Sequence, residues 1–271
     1  MMSESNGKVA LITGASVGIG RATAEALRKA GYRVFGTSRK ATASKSDSIT
    51  MLVCDVTDDA SVKKMVDEVL EKAGRIDLLV NNAGFGITGA AEESSIDQVR
   101  AMFETNVFGL VRVTNAVLPI MRKQREGRIL NVGSVAGLGP FPFGGHYGAT
   151  KHAVEGYSES LDHEVRDFGV RVAVIEPGPT RSSFEASTVV ADTPHADYRA
   201  ARNKYAVAFG RTMAEAVSAE SVAETIVLAA QDKAPRLRYA SGKVARQIAF
   251  ARRFLPRSLF DRTLRKQFGL A

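Results

Sequence analysis

Strand-like and helix-like segments alternate along most of this 271-residue chain, and that alternation restricts the fold more than any other feature. The stretch 8–13 is a short apolar run that stops at a glycine-rich turn. A helical pattern follows through Ala22, Ala26 and Leu27 and ends at Gly31, a common helix stop. Residues 34–38 and 49–54 are strand-like again, with a polar stretch between them. An amphipathic helix is predicted over 58–73, with Asp58 as N-cap and Gly74 after its end. Further strands are predicted at 76–80, 128–132 and 170–175, and long helical stretches at roughly 96–124 and 147–168. Strands joined through helices pair in parallel by right-handed crossovers, and both faces of the sheet are then covered. The expected fold is α/β, a single doubly wound domain of the Rossmann type with a central parallel sheet and helices on both faces. Ligands of such folds sit beyond the carboxyl ends of the strands, so the residues after each strand are where chemistry is expected.

With 45% apolar residues the chain has ample material for a core. Cys54 is its only cysteine and cannot form an internal disulfide, which fits a reducing compartment. The first residues are polar and lack the apolar stretch of a signal peptide, and no apolar run approaches the ~18 residues of a spanning helix. The expectation is a soluble, cytoplasmic protein. The formal charge of +8 is unevenly spread: from Arg236 onward there are ten Lys and Arg against one acid, Asp261, while the rest of the chain carries 27 basic and 28 acidic residues. Residues 1–235 are therefore read as the domain, with about 180–215 an elaboration near the substrate, and 236–271 as a basic extension. Nothing resembles a nucleic-acid recognition motif, and the near-neutral body argues against a nucleic-acid partner. No cluster with metal-ligand spacing is evident.

The first strand runs into Thr13-Gly14-Ala15-Ser16-Val17-Gly18-Ile19-Gly20. Glycines let a backbone turn tightly and approach a pyrophosphate, and the helix after the turn points its N-terminus at the anion. The spacing differs from the general Gly-x-Gly-x-x-Gly fingerprint. At the end of the second strand, where an acid would accept a hydrogen bond from the ribose of NAD, the chain has Ser38-Arg39-Lys40. A guanidinium grips a 2′-phosphate that a carboxylate would repel, so NADP is the expected cofactor.

Tyr147 and Lys151 are four residues apart at the start of a helix, hence on one face one turn apart. A free tyrosine titrates near pH ~10, and exchanging protons near neutrality requires about 4 kcal/mol of preferential phenolate stabilisation, for which a nearby ammonium is the obvious source. Ser134 lies just beyond the strand at 128–132, where a hydroxyl can hydrogen-bond a substrate oxygen as charge develops on it.

Thr13-Gly14-x3-Gly18-Ile19-Gly20, Asn81-Asn82-Ala83-Gly84, Asn106, Ser134, Tyr147-x3-Lys151 and Pro177-Gly178 occur in the order and approximate spacing of the short-chain dehydrogenase/reductase superfamily, which residues 7–184 resemble. That resemblance implies a hydride exchange between a nicotinamide and an alcohol/carbonyl pair. In it Tyr147 is the general acid/base, Lys151 lowers its pKa and binds the nicotinamide ribose, Ser134 orients the carbonyl, and Asn106 holds a water in a proton relay. It implies cofactor contacts from Gly14, Ser16, Gly18, Ile19, Gly20 and Arg39, from Asp55-Val56 at the adenine, from Asn82, Ala83 and Gly84, and from Pro177 and Gly178. The threonine usual after Pro-Gly is replaced by Ser182, with Thr180 two residues earlier, so the nicotinamide contact is open between these two hydroxyls. A homodimer or homotetramer is implied as well.

The loop before Tyr147 holds Pro140, Phe141, Pro142 and Phe143; with Phe184 its rings either line a pocket for a flat or lipid-like molecule or pack in the core or an interface. His146 is read as a solvent-facing residue at the helix start. The ending, with Arg238-Tyr239, Gly242, Leu255-Pro256 and Phe268-Gly269, loosely resembles the hydroxysteroid and retinol dehydrogenase branch, which implies a hydrophobic substrate. A 3-oxoacyl thioester reductase is the rival, and a non-catalytic NADP-binding regulator is the alternative of another kind. In the tail, Val244, Ile248, Ala251 and Leu255 form one helical face among Lys243, Arg246, Arg252 and Arg253; that face either docks on its own domain or a subunit, the favoured expectation, or lies on a membrane surface.

Overall fold

A computed structural model of the chain describes residues 7–40 and 49–270, so the polar N-terminal residues and the polar stretch at 41–48 lie outside the described residues. Seven strands are β1 (Val9–Ile12), β2 (Arg33–Ser38), β3 (Ile49–Val53), β4 (Leu78–Asn81), β5 (Gly127–Val132), β6 (Val170–Pro177) and β7 (Arg238–Ser241). They form one sheet in the order β7-β6-β5-β4-β1-β2-β3, and every neighbouring pair is parallel. The chain starts in the middle, winds outward through β2 and β3, then crosses back to β4. The crevice beyond the carboxyl ends of β1 and β4 is thus the topological switch point.

The helices are α1 (Gly18–Lys29), α2 (Asp59–Ala73), α3 (Ile96–Phe103), α4 (Gly109–Gln124), α5 (Gly145–Val165), α6 (Arg199–Ala214), α7 (Ala219–Gln231), α8 (Lys243–Phe254) and α9 (Arg257–Gln267). Side chains of a strand alternate between its faces, and β1 divides accordingly. Val9 and Leu11 pack with Met65 and Val69 of α2, Val117 of α4 and Leu161 of α5, whereas Ala10 and Ile12 pack with Leu27 of α1 and Ile226 of α7. Both faces of β1 are fully buried, which explains why the strand reads as an unbroken apolar run.

The local signals act where the sequence puts them. Asp58 accepts hydrogen bonds from the Ala60 and Ser61 amides at 2.8 and 3.3 Å, and Gly74 ends α2 in the left-handed region at φ 72°. The helix expected over 96–124 is not continuous: residues 104–108 form a π-helical segment between α3 and α4. Among the described residues, no helix is long and apolar enough to cross a membrane.

The region after β6 is more ordered than the elaboration expected at 180–215. It contains α6, and Arg202 of that helix forms an ion pair with buried Glu93. The extension expected from residue 236 begins as part of the sheet, because residues 238–241 are its edge strand β7, with Tyr239 buried against β6. The chain beyond β7 folds back onto the body: Ala245 and Phe268 are buried, and Arg252 donates to the Leu138 carbonyl at 2.9 Å.

Candidate active site

At the end of β1 the backbone turns through Gly14 (φ 66°) and Gly18 (φ 57°), a region costly for other residues. A methyl group on Gly20 would stand 2.2 Å from the Gly14 carbonyl oxygen, so α1 is pressed onto the turn. Half-buried Ser16 lies within this turn, and half-buried Ile19 packs on the core beneath α1. Val17 precedes α1 without a side-chain cap, which leaves the first amides of the helix for an anion. The turn is braced from β4. The hydroxyl of buried Thr13 accepts from the Asn82 and Ala83 amides at 3.0 Å each, and the Asn82 side chain donates to the Thr13 and Gly14 carbonyls. A pyrophosphate fits this cradle, since its glycines let the turn and α1 close together without side chains in the way and the uncapped amides of α1 point at the anion.

Arg39 projects exposed from the end of β2. Beyond β3, the Asp55 carboxylate accepts from the amide and hydroxyl of Thr57 at 2.9 and 2.8 Å; these bonds hold its pKa below the usual carboxylate range, and Arg39 adds to the effect. Val56 is buried, and its carbonyl accepts from Arg112. The adenosine end of the site therefore has a fixed carboxylate, an apolar wall and an exposed guanidinium.

Asn106 lies in the π-helical segment, buried. Its amide oxygen accepts from the Phe85 amide at 3.0 Å, and its nitrogen donates to the Phe85 carbonyl at 2.9 Å and to Thr150 at 3.2 Å. The bulge turns this side chain from the helix surface onto the backbone of Phe85, just after Gly84, and onto α5. Behind it, Asn81 donates to Thr114 and Asn131, and Asn131 to Ser158, a buried polar ladder joining β4, β5 and α5.

Ser134 follows β5 after one intervening residue, Gly133, its hydroxyl accepting from the Ala136 amide at 3.1 Å and acting to lower the pKa of Tyr147. Tyr147 and Lys151 stand on one face of α5, the ammonium 5.6 Å from the ring centroid. The charge states differ from the sequence expectation. Burial pushes Tyr147 up to about 12, against the opposing effect of Ser134, and pushes Lys151 down to about 8, against the carboxylate of Glu155. Lys151 donates to the Val132 carbonyl at 2.8 Å, so the backbone of β5 holds its ammonium in place. Tyr147 is thus a neutral hydroxyl, suited to giving up a proton to a developing alkoxide.

Pro177 ends β6 beside Ser241, and the Gly178 amide donates to the Ser241 carbonyl at 3.4 Å. Thr180 turns its hydroxyl back to the Gly178 carbonyl, whereas the Ser182 hydroxyl accepts from Phe184 and its Cβ lies near Gly18. Ser183 comes closer still, its hydroxyl 2.8 Å from where a Gly18 side chain would begin. The Phe184 ring sits 5.5 Å from that of Tyr147 and walls the site. Phe141 and Phe143 do not: they pack on Tyr205, and Phe141 also on Phe209 and Phe268, which fixes the tail to the loop before Tyr147. His146 is half-buried and bonds the Ala91 carbonyl at 2.8 Å, so it braces the helix start and is not simply solvent-facing.

Sequence reasoning also missed the group behind Lys151. Buried Glu155, one further turn along α5, and buried Glu176 on β6 both face Arg238 of β7, at 2.9 and 3.2 Å. One oxygen of each carboxyl has no hydrogen-bond partner, and burial pushes Glu176 up to about 7. The repeat Tyr147, Lys151, Glu155 at four-residue steps was the available signal; the roles of Ser183, Thr150 and Glu176 had none.

A doubly wound sheet with a glycine cradle at one side of its switch point and a Ser-Tyr-Lys set at the other is the architecture of dinucleotide-dependent oxidoreductases. The profile of the short chain dehydrogenase family matches residues 8–192, and the chain belongs to that family. It is 45% identical over 177 residues to a 3-ketodihydrosphingosine reductase of Bacteroides thetaiotaomicron, a match covering 65% of each chain. A short-chain dehydrogenase from Streptomyces avermitilis superposes with a TM-score of 0.84 at 33% identity, over 99% of this chain and 100% of that one. The structure of ElxO with NADP bound superposes with a TM-score of 0.71 at 28% identity, over 84% and 92%.

Proposed function

We propose that the protein is an NADP(H)-dependent oxidoreductase that interconverts a hydrophobic ketone or aldehyde and its alcohol. The observation that carries this reading is the convergence of Asn106, Ser134, Tyr147 and Lys151 at the carboxyl ends of β4 and β5, next to the glycine cradle. NADP(H), when bound, supplies or accepts the hydride. Gly14, Gly18, Gly20 and the first amides of α1 would hold its pyrophosphate, Arg39 its 2′-phosphate, and Asp55 and Val56 its adenine end. Lys151, Pro177 and Gly178 would border the nicotinamide side, with Ser182 better placed than Thr180, whose hydroxyl is spent on its own backbone.

In reduction, Ser134 donates a hydrogen bond to the substrate carbonyl and Tyr147 transfers its phenolic proton to the oxygen as the carbon is reduced. The buried lysine, close to losing its proton, is suited to return one to the tyrosine. In oxidation the same groups run in reverse. A hydrophobic substrate is supported by Phe184 against Tyr147 and by the apolar cluster of Ile87, Met102 and Ala191 that Phe85 and Tyr147 join, and a ketone by the name of the Bacteroides relative, a 3-ketodihydrosphingosine reductase.

The test is turnover of a ketone and aldehyde panel with NADPH and with NADH, for the wild type and Tyr147→Phe. The variant is expected to lose roughly 10²–10⁴-fold in kcat while NADPH binding stays nearly intact. Surviving turnover overturns the role of Tyr147, and equal efficiency with both nucleotides overturns the NADP assignment.

A further inference from the structure

The last two helices carry a surface that the proposed reaction does not use. α8 packs inward through Ala245, which is fully buried, with Val244, Ile248 and Ala251 partly covered beside it, so the apolar face legible in the sequence is spent on the protein's own body. The opposite face is exposed. At three- and four-residue steps it presents Lys243, Arg246, Gln247, Phe250, Arg253 and Phe254. Phe250 and Phe254 are each 62% exposed, and their rings lie side by side with centroids 4.8 Å apart. Leu255 and Leu259, also exposed, continue the apolar strip into α9.

The charges around the strip are as unusual as the rings. Ten Lys and Arg against Asp261 stand in 236–271, while the rest of the chain is near neutral. Among the described residues, none of the lysines and arginines from Lys243 onward belongs to an ion pair, whereas Arg238 meets three glutamates. Phenylalanine and arginine also occur at protein interfaces, but a protein partner would have to bring a matching set of acids to these cations, whereas a layer of anionic headgroups meets them without specific pairing. Bulky apolar side chains interleaved with cations suit the boundary of an anionic bilayer, where rings reach the acyl chains and cations meet the headgroups.

We propose that the exposed face of α8, with Phe250 and Phe254 between Lys243, Arg246 and Arg253, seats the protein on an anionic lipid bilayer. The seat is joined to the loop that precedes Tyr147. Arg252 donates to the Leu138 carbonyl, its guanidinium lies over the Phe260 ring, and that ring lies against Gly139. A lipophilic substrate dissolved in the bilayer would thus meet the protein on the side of the loop that leads into Tyr147.

The test is co-sedimentation of the full chain with vesicles of phosphatidylcholine alone, and of phosphatidylcholine with about a third phosphatidylserine, at low and high salt. Binding to the anionic vesicles only, released by salt, is expected. Phe250→Ser with Phe254→Ser should weaken it about tenfold or more, and Lys243→Gln with Arg246→Gln and Arg253→Gln about a hundredfold. Both variants alter exposed side chains, so Tm and turnover of a soluble ketone should stay at wild-type values. Equal binding to neutral vesicles, absence of binding, or unchanged binding by either variant overturns the proposal. So does light scattering in which the serine variant converts a dimer to a monomer with vesicle binding unaffected, or tighter binding to DNA than to vesicles.

Discussion

Tyr147 and Lys151 show how far a residue's chemistry can be read from its neighbours in sequence. Their four-residue spacing is legible, and so is the shared helix face. Their protonation is not, because it depends on burial and on partners such as the Val132 carbonyl and Glu155, which only the folded chain supplies. Glu176 makes the same point and is open to measurement. Its carboxyl is pushed up to about 7 by burial, with Glu155 and Glu159 adding to the rise and Arg238 opposing it. The folded protein binds this proton more tightly than the unfolded chain does. The resulting contribution to stability is complete below the ordinary glutamate pKa of about 4.5 and is lost as pH rises through about 7. Asp162, held down by Arg171, Arg166 and the Val172 amide, acts in the opposite sense and matters only in acid. Glu176→Gln removes the titration. Denaturant unfolding at a series of pH values should show the variant gaining about 1–3 kcal/mol on the wild type between pH ~4.5 and ~7, whatever its constant offset. A flat difference across that window would mean the carboxyl is not held up.

At the scale of elements, the strand-helix alternation, the Asp58 cap and the Gly74 stop are readable because each is a local signal. The π-helical segment at 104–108 is not, since its apolar periodicity is that of the flanking helices and only the demand for Asn106 at the Phe85 backbone explains the extra residue in the turn. The β1–turn–α1 unit is the element most open to test. Gly20 carries no left-handed angle, so the glycine is required by contact: a Cβ would lie 2.2 Å from the Gly14 carbonyl oxygen and 2.6 Å from the Asn82 side chain. Gly20→Ala must therefore push α1 off the turn or unseat Asn82. The expected cost is about 1–3 kcal/mol of stability. NADPH affinity, read by fluorescence titration, should fall more than tenfold, because the first amides of α1 leave the cradle. Retained affinity with lowered stability would show that the cradle tolerates the shift.

The whole molecule joins parts that no local pattern connects. Phe141, Phe143, Tyr205, Phe209 and Phe268 come from the substrate loop, from α6 and from the chain's end, yet they pack as one aromatic group with ring centroids 5.1–6.3 Å apart. The sequence allowed the two loop rings to be read as pocket lining or as packing, and nothing nearby along the chain could decide between them, because the rings they meet, Tyr205, Phe209 and Phe268, lie from 62 to 127 residues further on. Phe268 is 2% exposed, so its removal leaves a cavity under the loop that leads into Tyr147. Phe268→Ala should cost about 3–5 kcal/mol if the group belongs to the same cooperative unit as the sheet. If the tail instead opens by itself, thermal unfolding of the sheet would barely move, and the loss would appear as a lowered kcat/KM from a loosened substrate loop. The first outcome is expected, because β7 is the edge strand of the sheet, paired to β6, and α8 comes directly after it, tying the tail to the core. Circular dichroism for the sheet and proteolysis of α9, monitored together over temperature, separate the two. One shared transition, shifted down in the variant, supports a single unit, and early cleavage of α9 with the sheet intact excludes it.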